Sequence, residues 1–119
     1  MELNHLHLEV TDLDRAVAFW TTHFGFVVDR RFEDVQFLRD AAGFDLALAE
    51  TSAPAPLPAP QHVGFRLHSV LEVERLHDRL ARAGAPLVEP LSAEADLVWF
   101  RTRDPDAHLI EVYWERGVD

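Results

Sequence analysis

Three runs of the chain alternate apolar and polar residues with a period of two, the spacing of a strand buried on one face. In the run from Leu3 to Val10, Leu6, Leu8 and Val10 fall on one side and His5, His7 and Glu9 on the other. In the run from Gln61 to His68, Val63, Phe65 and Leu67 oppose His62, Arg66 and His68. Near the C-terminus, Ile110, Val112 and Trp114 oppose Glu111 and Tyr113. Each run therefore predicts a strand with an oily face and a chemical one.

Between these runs the period changes. Leu13, Ala16, Val17, Trp20 and Phe24 recur at spacings of three and four, after Thr11 or Asp12 as a cap and before Gly25 as a stop, which predicts a helix. Short strands are predicted over 26–32, 35–39 and 44–49, with turns at Glu33-Asp34 and 40–43. Past the 61–68 strand, Ser69 and Glu72 form a capping box for a helix carrying Val73, Leu76, Leu80 and Ala83 and ending at Gly84. Strands over 87–91, 97–102 and 108–114 complete the pattern. Between the halves, Pro54, Pro56, Pro58 and Pro60 occupy alternate positions and predict an extended linker.

The order is βαβββ twice. An offset of 57 residues, from position 5 to position 62, matches His5 with His62, Leu6 with Val63, Leu8 with Phe65, Val10 with Leu67 and Asp12 with Ser69, an internal repeat. The expected organisation is a single α+β domain, residues 1–119, built from a module at 1–50, a linker at 51–60 and a module at 61–119. A helix covers one side of each curved sheet, so the polar sides are expected to enclose a cup.

Composition narrows the chemistry. The chain has 119 residues, 48% of them hydrophobic, which suffices for a core. No apolar stretch reaches membrane-spanning length and no signal-like N-terminus is present, so the cytoplasm is expected. Without cysteine there is no disulfide, thiolate ligand or cysteine nucleophile, and without lysine no Schiff base. Of the serines, Ser69 reads as a cap, Ser52 adjoins the prolines and Ser92 stays open as a nucleophile. A net charge of −10 disfavours nucleic acid and favours small cations.

A single strand histidine is ordinarily a packed or surface residue. Three residues of ligand type at matched places in a repeat argue otherwise, and His5, His62 and Glu111 together form a candidate two-histidine, one-carboxylate metal site. His7, two residues along the strand from His5, is the candidate general base. Arg66, Trp99, Arg101 and Tyr113 share the cup-facing parity and are candidate substrate contacts. His23, His68, His77 and His108 read as structural or solvated.

The segments His5–Leu13, Ala18-Phe19-Trp20, Phe24-Gly25-Phe26, His62–Phe65 and Asp104–Glu111 resemble the vicinal oxygen chelate superfamily over nearly the whole chain. That superfamily includes glyoxalase I, fosfomycin-resistance transferases, extradiol dioxygenases, methylmalonyl-CoA epimerase and bleomycin-resistance binding proteins. Its usual Asp-Pro-Asp-Gly turn has Ala107 in place of glycine. The resemblance implies the paired βαβββ fold and metal ligands at His5, Ala47, His62 and Glu111, so one of four positions is lost. Glu50 has the wrong parity to replace it. Glyoxalase I fills all four positions, whereas the fosfomycin and extradiol branches use three.

The branch stays open. A fosfomycin transferase implies a basic phosphonate-binding group, and this chain has no lysine; an extradiol enzyme implies a supporting histidine and tyrosine, absent from Val35 to Ala49. The expected function is a divalent-metal enzyme (Mn, Fe, Co, Ni or Zn, one ion per site) of lyase, isomerase or dioxygenase type, acting on a small substrate bound through oxygens. The alternative is a metal-free dimeric drug-binding protein resembling the bleomycin-resistance branch. The resemblance further implies a homodimer whose sites are shared between chains.

Overall fold

The structure is a computed structural model and describes residues 1–118. It divides into two compact units, Met1–Pro56 and a second from Leu57 onward, with the division inside the proline segment. The Ala59–Pro60 peptide is cis.

The first unit runs β1 (His5–Val10), α1 (Leu13–His23), β2 (Val27–Phe32), β3 (Val35–Arg39) and β4 (Asp45–Glu50). Its sheet order is β1-β4-β3-β2, with β1 and β4 parallel and the rest antiparallel. Asp12 caps α1, accepting a hydrogen bond from the Arg15 amide. Leu13, Ala16 and Trp20 of α1 are buried, as are Leu8, Val10, Leu38, Leu46 and Leu48 of the sheet. Trp20 meets Phe19, Phe24 and Phe26 at ring separations of 5.2–6.1 Å, the aromatic packing expected for the helix side. At the sheet edge, all six residues of β2 are exposed, and its pairing with β3 shifts register between Val28 and Arg31.

The second unit repeats the plan as β5 (Val63–Arg66), α2 (Val70–Arg82), β6 (Leu87–Ala93), β7 (Leu97–Arg103) and β8 (Leu109–Glu115), in the order β5-β8-β7-β6. Ser69 caps α2 by accepting from the Glu72 amide, and the Glu72 carboxylate in turn accepts from the His68 amide. That bond ends the β5 side of the ladder: the Leu67 amide still donates to the Tyr113 carbonyl at 2.8 Å, whereas the His68 amide serves the helix start. Strand β6 extends beyond the predicted Leu91, with register shifts opposite β7.

The two β-turns that feed the last strands are twins. In the first, Asp40 Oδ1 accepts the amides of Ala42 and Phe44 at 3.0 and 2.8 Å, while the Gly43 amide donates to the Asp40 carbonyl at 3.1 Å. In the second, Asp104 Oδ1 accepts the amides of Asp106 and His108 at 3.0 and 2.8 Å, and the Ala107 amide donates to the Asp104 carbonyl at 3.0 Å. The repeat offset has thus grown from 57 residues at the first strands to 64, from position 40 to position 104. Gly43 sits at φ 89° and Ala107 at φ 69°, a left-handed conformation that suits glycine and strains alanine. His108 is buried: its Nδ1 lies 2.8 Å from Asp104 Oδ2, and its Nε2 has no hydrogen-bond partner among the described residues. The turn thereby claims His108, and β8 starts one residue later than the alternation predicts.

Among the described residues, no helix is long and apolar enough to cross a membrane.

Candidate functional site

The ladder registers place the chemistry on the sheet faces turned away from the helices. In the second sheet, one rung carries Gly64 of β5, Glu111 of β8 and Arg101 of β7, and the next carries Arg66, Tyr113 and Trp99. Residues on one rung share a face, and neighbours two apart on a strand return to it. Glu111, Arg101, Tyr113 and Trp99 therefore stand together, as their shared parity predicts.

Glu111 is the centre of this group. Both Nε and Nη2 of Arg101 lie 2.9 Å from its Oε2. His62, one residue before β5, brings Nε2 to 3.6 Å from the same oxygen. The Arg101 guanidinium lies 5.5 Å from the centre of the Trp99 ring, within cation–π range. The Glu111 and Arg101 side chains are only 23% and 31% exposed, so water screens this pair incompletely.

His62 is oriented by the backbone that precedes it. Its Nδ1 is 3.0 Å from the Pro60 carbonyl, which can only accept, so Nδ1 carries hydrogen and the neutral ring offers its lone pair at Nε2. His5, on β1 of the first unit, is fixed in the same manner: its Nδ1 lies 2.8 Å from the Asn4 side-chain oxygen. Both imidazoles thus take the form of a metal ligand, with Nδ1 held and Nε2 available. Two such imidazoles and a carboxylate suit a divalent cation, so the donor types fit the ion that the resemblance implies. Among the described residues, no group of three or more histidine, aspartate or glutamate side chains comes close enough to hold a metal ion. The structure brings His62 and Glu111 together within the second unit, and His5 belongs to the first.

On the first sheet, the equivalent of Glu111 is Ala47, paired with His7 on one side and Phe37 on the other. His7 is exposed there. Asp45, the register partner of His5, is a residue the sequence reading passed over. It lies between Arg39, which reaches Oδ1 and Oδ2 at 2.9 and 3.4 Å, and Arg30, which reaches Oδ2 at 3.1 Å. Hydrogen bonds from Arg39 first, and then from Arg30, hold the Asp45 carboxyl below the usual carboxylate range. The missed signal was the alternation of 45, 47 and 49, which puts Asp45 on the histidine face.

Two other residues have local occupations. Glu50 accepts the Leu13 amide at 2.9 Å, serving the start of α1 from the opposite face of β4. Ser92 donates its hydroxyl to the Pro90 carbonyl at 3.2 Å.

Comparisons with known proteins agree with this architecture. A family model described as the Glyoxalase/Bleomycin resistance protein/Dioxygenase superfamily matches residues 2–112. The glutathione transferase FosA of Serratia marcescens is 28% identical over 115 residues, covering 93% of this chain and 79% of that protein. A possible glyoxalase from Bacillus cereus has 31% identity and a TM-score of 0.81, covering 94% of this chain and 97% of its own. The fosfomycin resistance protein FosX from Listeria monocytogenes, complexed with Mn(II) and sulfate, has the same fold at 22% identity, with a TM-score of 0.81 and coverage of 98% and 91%. Two βαβββ units, each with a four-stranded sheet, make this a glyoxalase-like fold, and the chain belongs to the Glyoxalase/Bleomycin resistance protein/Dioxygenase superfamily.

Proposed function

We propose that this protein is a divalent-metal enzyme acting on a small substrate bound through oxygens, by lyase, isomerase or dioxygenase chemistry. The observation that carries the reading is the presentation of His62: Pro60 holds its Nδ1, and its Nε2 faces Glu111 at 3.6 Å. Relatives lend support, one being described as a glutathione transferase and another as a complex with Mn(II).

In this reading His5, His62 and Glu111 hold the ion, and the two modules act as one domain. The sites are completed across a homodimer, the first module of one chain meeting the second module of its partner. A bound divalent ion supplies Lewis-acid polarisation of substrate oxygens. His7, about 7 Å along β1 from His5, accepts the substrate proton on an imidazole nitrogen. Trp99 and Tyr113 wall the substrate on their shared rung, and Arg66, also on that rung, contributes positive charge.

The test is metal analysis of protein purified without a chelating column, followed by titration with Mn(II), Fe(II), Co(II), Ni(II) and Zn(II). One ion per site, lost in Glu111→Gln, is the expected result. Protein that binds none of these ions overturns the reading. It would favour a metal-free dimer that sequesters an aromatic cation, a role suited to the Trp99–Tyr113 rung. Mixing His5→Ala with Glu111→Ala chains tests the shared sites, because verified mixed dimers regain one intact site only if each site draws on both chains.

A further inference from the structure

Arg101 does more at this centre than line a wall. Its two N–H groups, Nε and Nη2, both approach one oxygen, Oε2 of Glu111, at 2.9 Å. Nε donates to Oε2 and Nη2 stands at the same distance, so the fork of the guanidinium occupies the approach to that oxygen. Oε2 is also the oxygen that faces His62 Nε2, 3.6 Å away. A cation bridging His62 and Glu111 on that side must therefore displace at least one N–H of the guanidinium.

Building on the metal reading above, we propose that Arg101 is the resident cation of the site. It neutralises Glu111 until a divalent ion displaces it, and the freed guanidinium then binds an oxyanion of the substrate. Trp99 keeps the guanidinium in place through its ring face, 5.5 Å away, so that the donors released from Glu111 stay at the site for an incoming oxyanion. Metal and anionic substrate then bind in order: without the metal, the guanidinium is spent on Glu111.

This role predicts an affinity change opposite in sign to that of a supporting residue. Removing a residue that merely orients a ligand weakens metal binding, commonly tenfold or more. Removing an internal competitor strengthens it. The experiment is titration of wild-type, Arg101→Met and Arg101→Lys proteins with Mn(II), read by calorimetry and by the loss of the free-ion paramagnetic resonance signal. Arg101→Met is expected to bind Mn(II) about fivefold tighter or more, the scale of a partly screened ion pair. Arg101→Lys, which keeps the charge and loses the fork, is expected to fall between, and serves as the test if the methionine variant unfolds. Variants that bind as the wild type does, or more weakly, overturn the competitor role and leave the metal reading standing. Failure of wild-type and variant proteins alike to bind Mn(II) overturns both.

Discussion

In the second sheet a carboxylate, Glu111, stands between an imidazole and one guanidinium; at the equivalent place in the first sheet there is Ala47, and the nearest carboxylate, Asp45, stands between two guanidiniums. Both oxygens of Asp45 are engaged, whereas arginine engages Glu111 only at Oε2. One module thus closes its charges into a balanced surface network, and the other keeps a carboxylate with lone pairs in reserve. The same topology serves both ends. A shift of two residues along β4, which preserves the face but changes the rung, separates the carboxylate beside His5 from the position equivalent to Glu111.

The widest gap between the modules should appear on removing these carboxylates singly. Glu111→Gln is expected to lower metal affinity at least about a hundredfold, beyond the usual cost of losing an outer partner, while Asp45→Asn changes it less than about twofold. Equal losses by calorimetry would erase the distinction.

Restoring the symmetry should be costly next. Ala47 is 2% exposed, so Ala47→Glu buries a carboxylate and is expected to destabilise the metal-free protein by about 2–3 kcal/mol. Saturating metal should recover part of that loss if the new carboxylate joins the site, seen as a larger metal-induced rise in Tm than in the wild type.

The twin turns give a smaller, reciprocal pair. Gly43→Ala should cost about 1 kcal/mol, and Ala107→Gly should gain up to about 1 kcal/mol, in denaturant melts. Changes of the same sign would show that the backbone angles do not govern these turns.

The smallest effect concerns pH. The folded-state pKa of Asp45 lies below its ordinary value because Arg39 and Arg30 bond the ionised form. The stability it contributes is therefore present above the unfolded aspartate pKa, about 3.9, and is lost as pH falls through the depressed folded value. The Tm difference between wild type and Asp45→Asn should close on acidification and stay constant above about pH 6.

Much of this was legible in the chain because burial imposes period. The helices at Leu13–His23 and Val70–Arg82 and the buried parity of Leu8, Val10, Ile110 and Val112 follow from apolar spacing, and the Ser69 cap from its box with Glu72; the choice of Asp12 over Thr11 at the first cap came from the structure. Parity also put Glu111, Arg101, Trp99 and Tyr113 on one face. It could not say which of them touch: Arg101 read as a substrate contact, and its hold on Glu111 depends on the pairing register of β7 with β8. Asp45 escaped for a related reason, since its importance comes from Arg39, its register partner on β3, and from Arg30, which lies within a register shift in β2. Alternation was also blind to His108, whose burial is set by the Asp104 turn.

The bare edge of the first sheet bears on how this protein behaves in crowded solution. Every residue of β2 is exposed, and its apolar ends, Val27-Val28 and Phe32, are the kind of template that recruits another strand. Between those ends stand Asp29, Arg30 and Arg31, and the ladder is broken at the same place. Charge and bulge together spoil the edge for a visiting chain, and the charge half of that defence is spent by salt: at about 1 M the screening length falls to about 3 Å. Colloidal stability at this edge thus falls as ionic strength rises, while the share contributed by the bulge is untouched by salt.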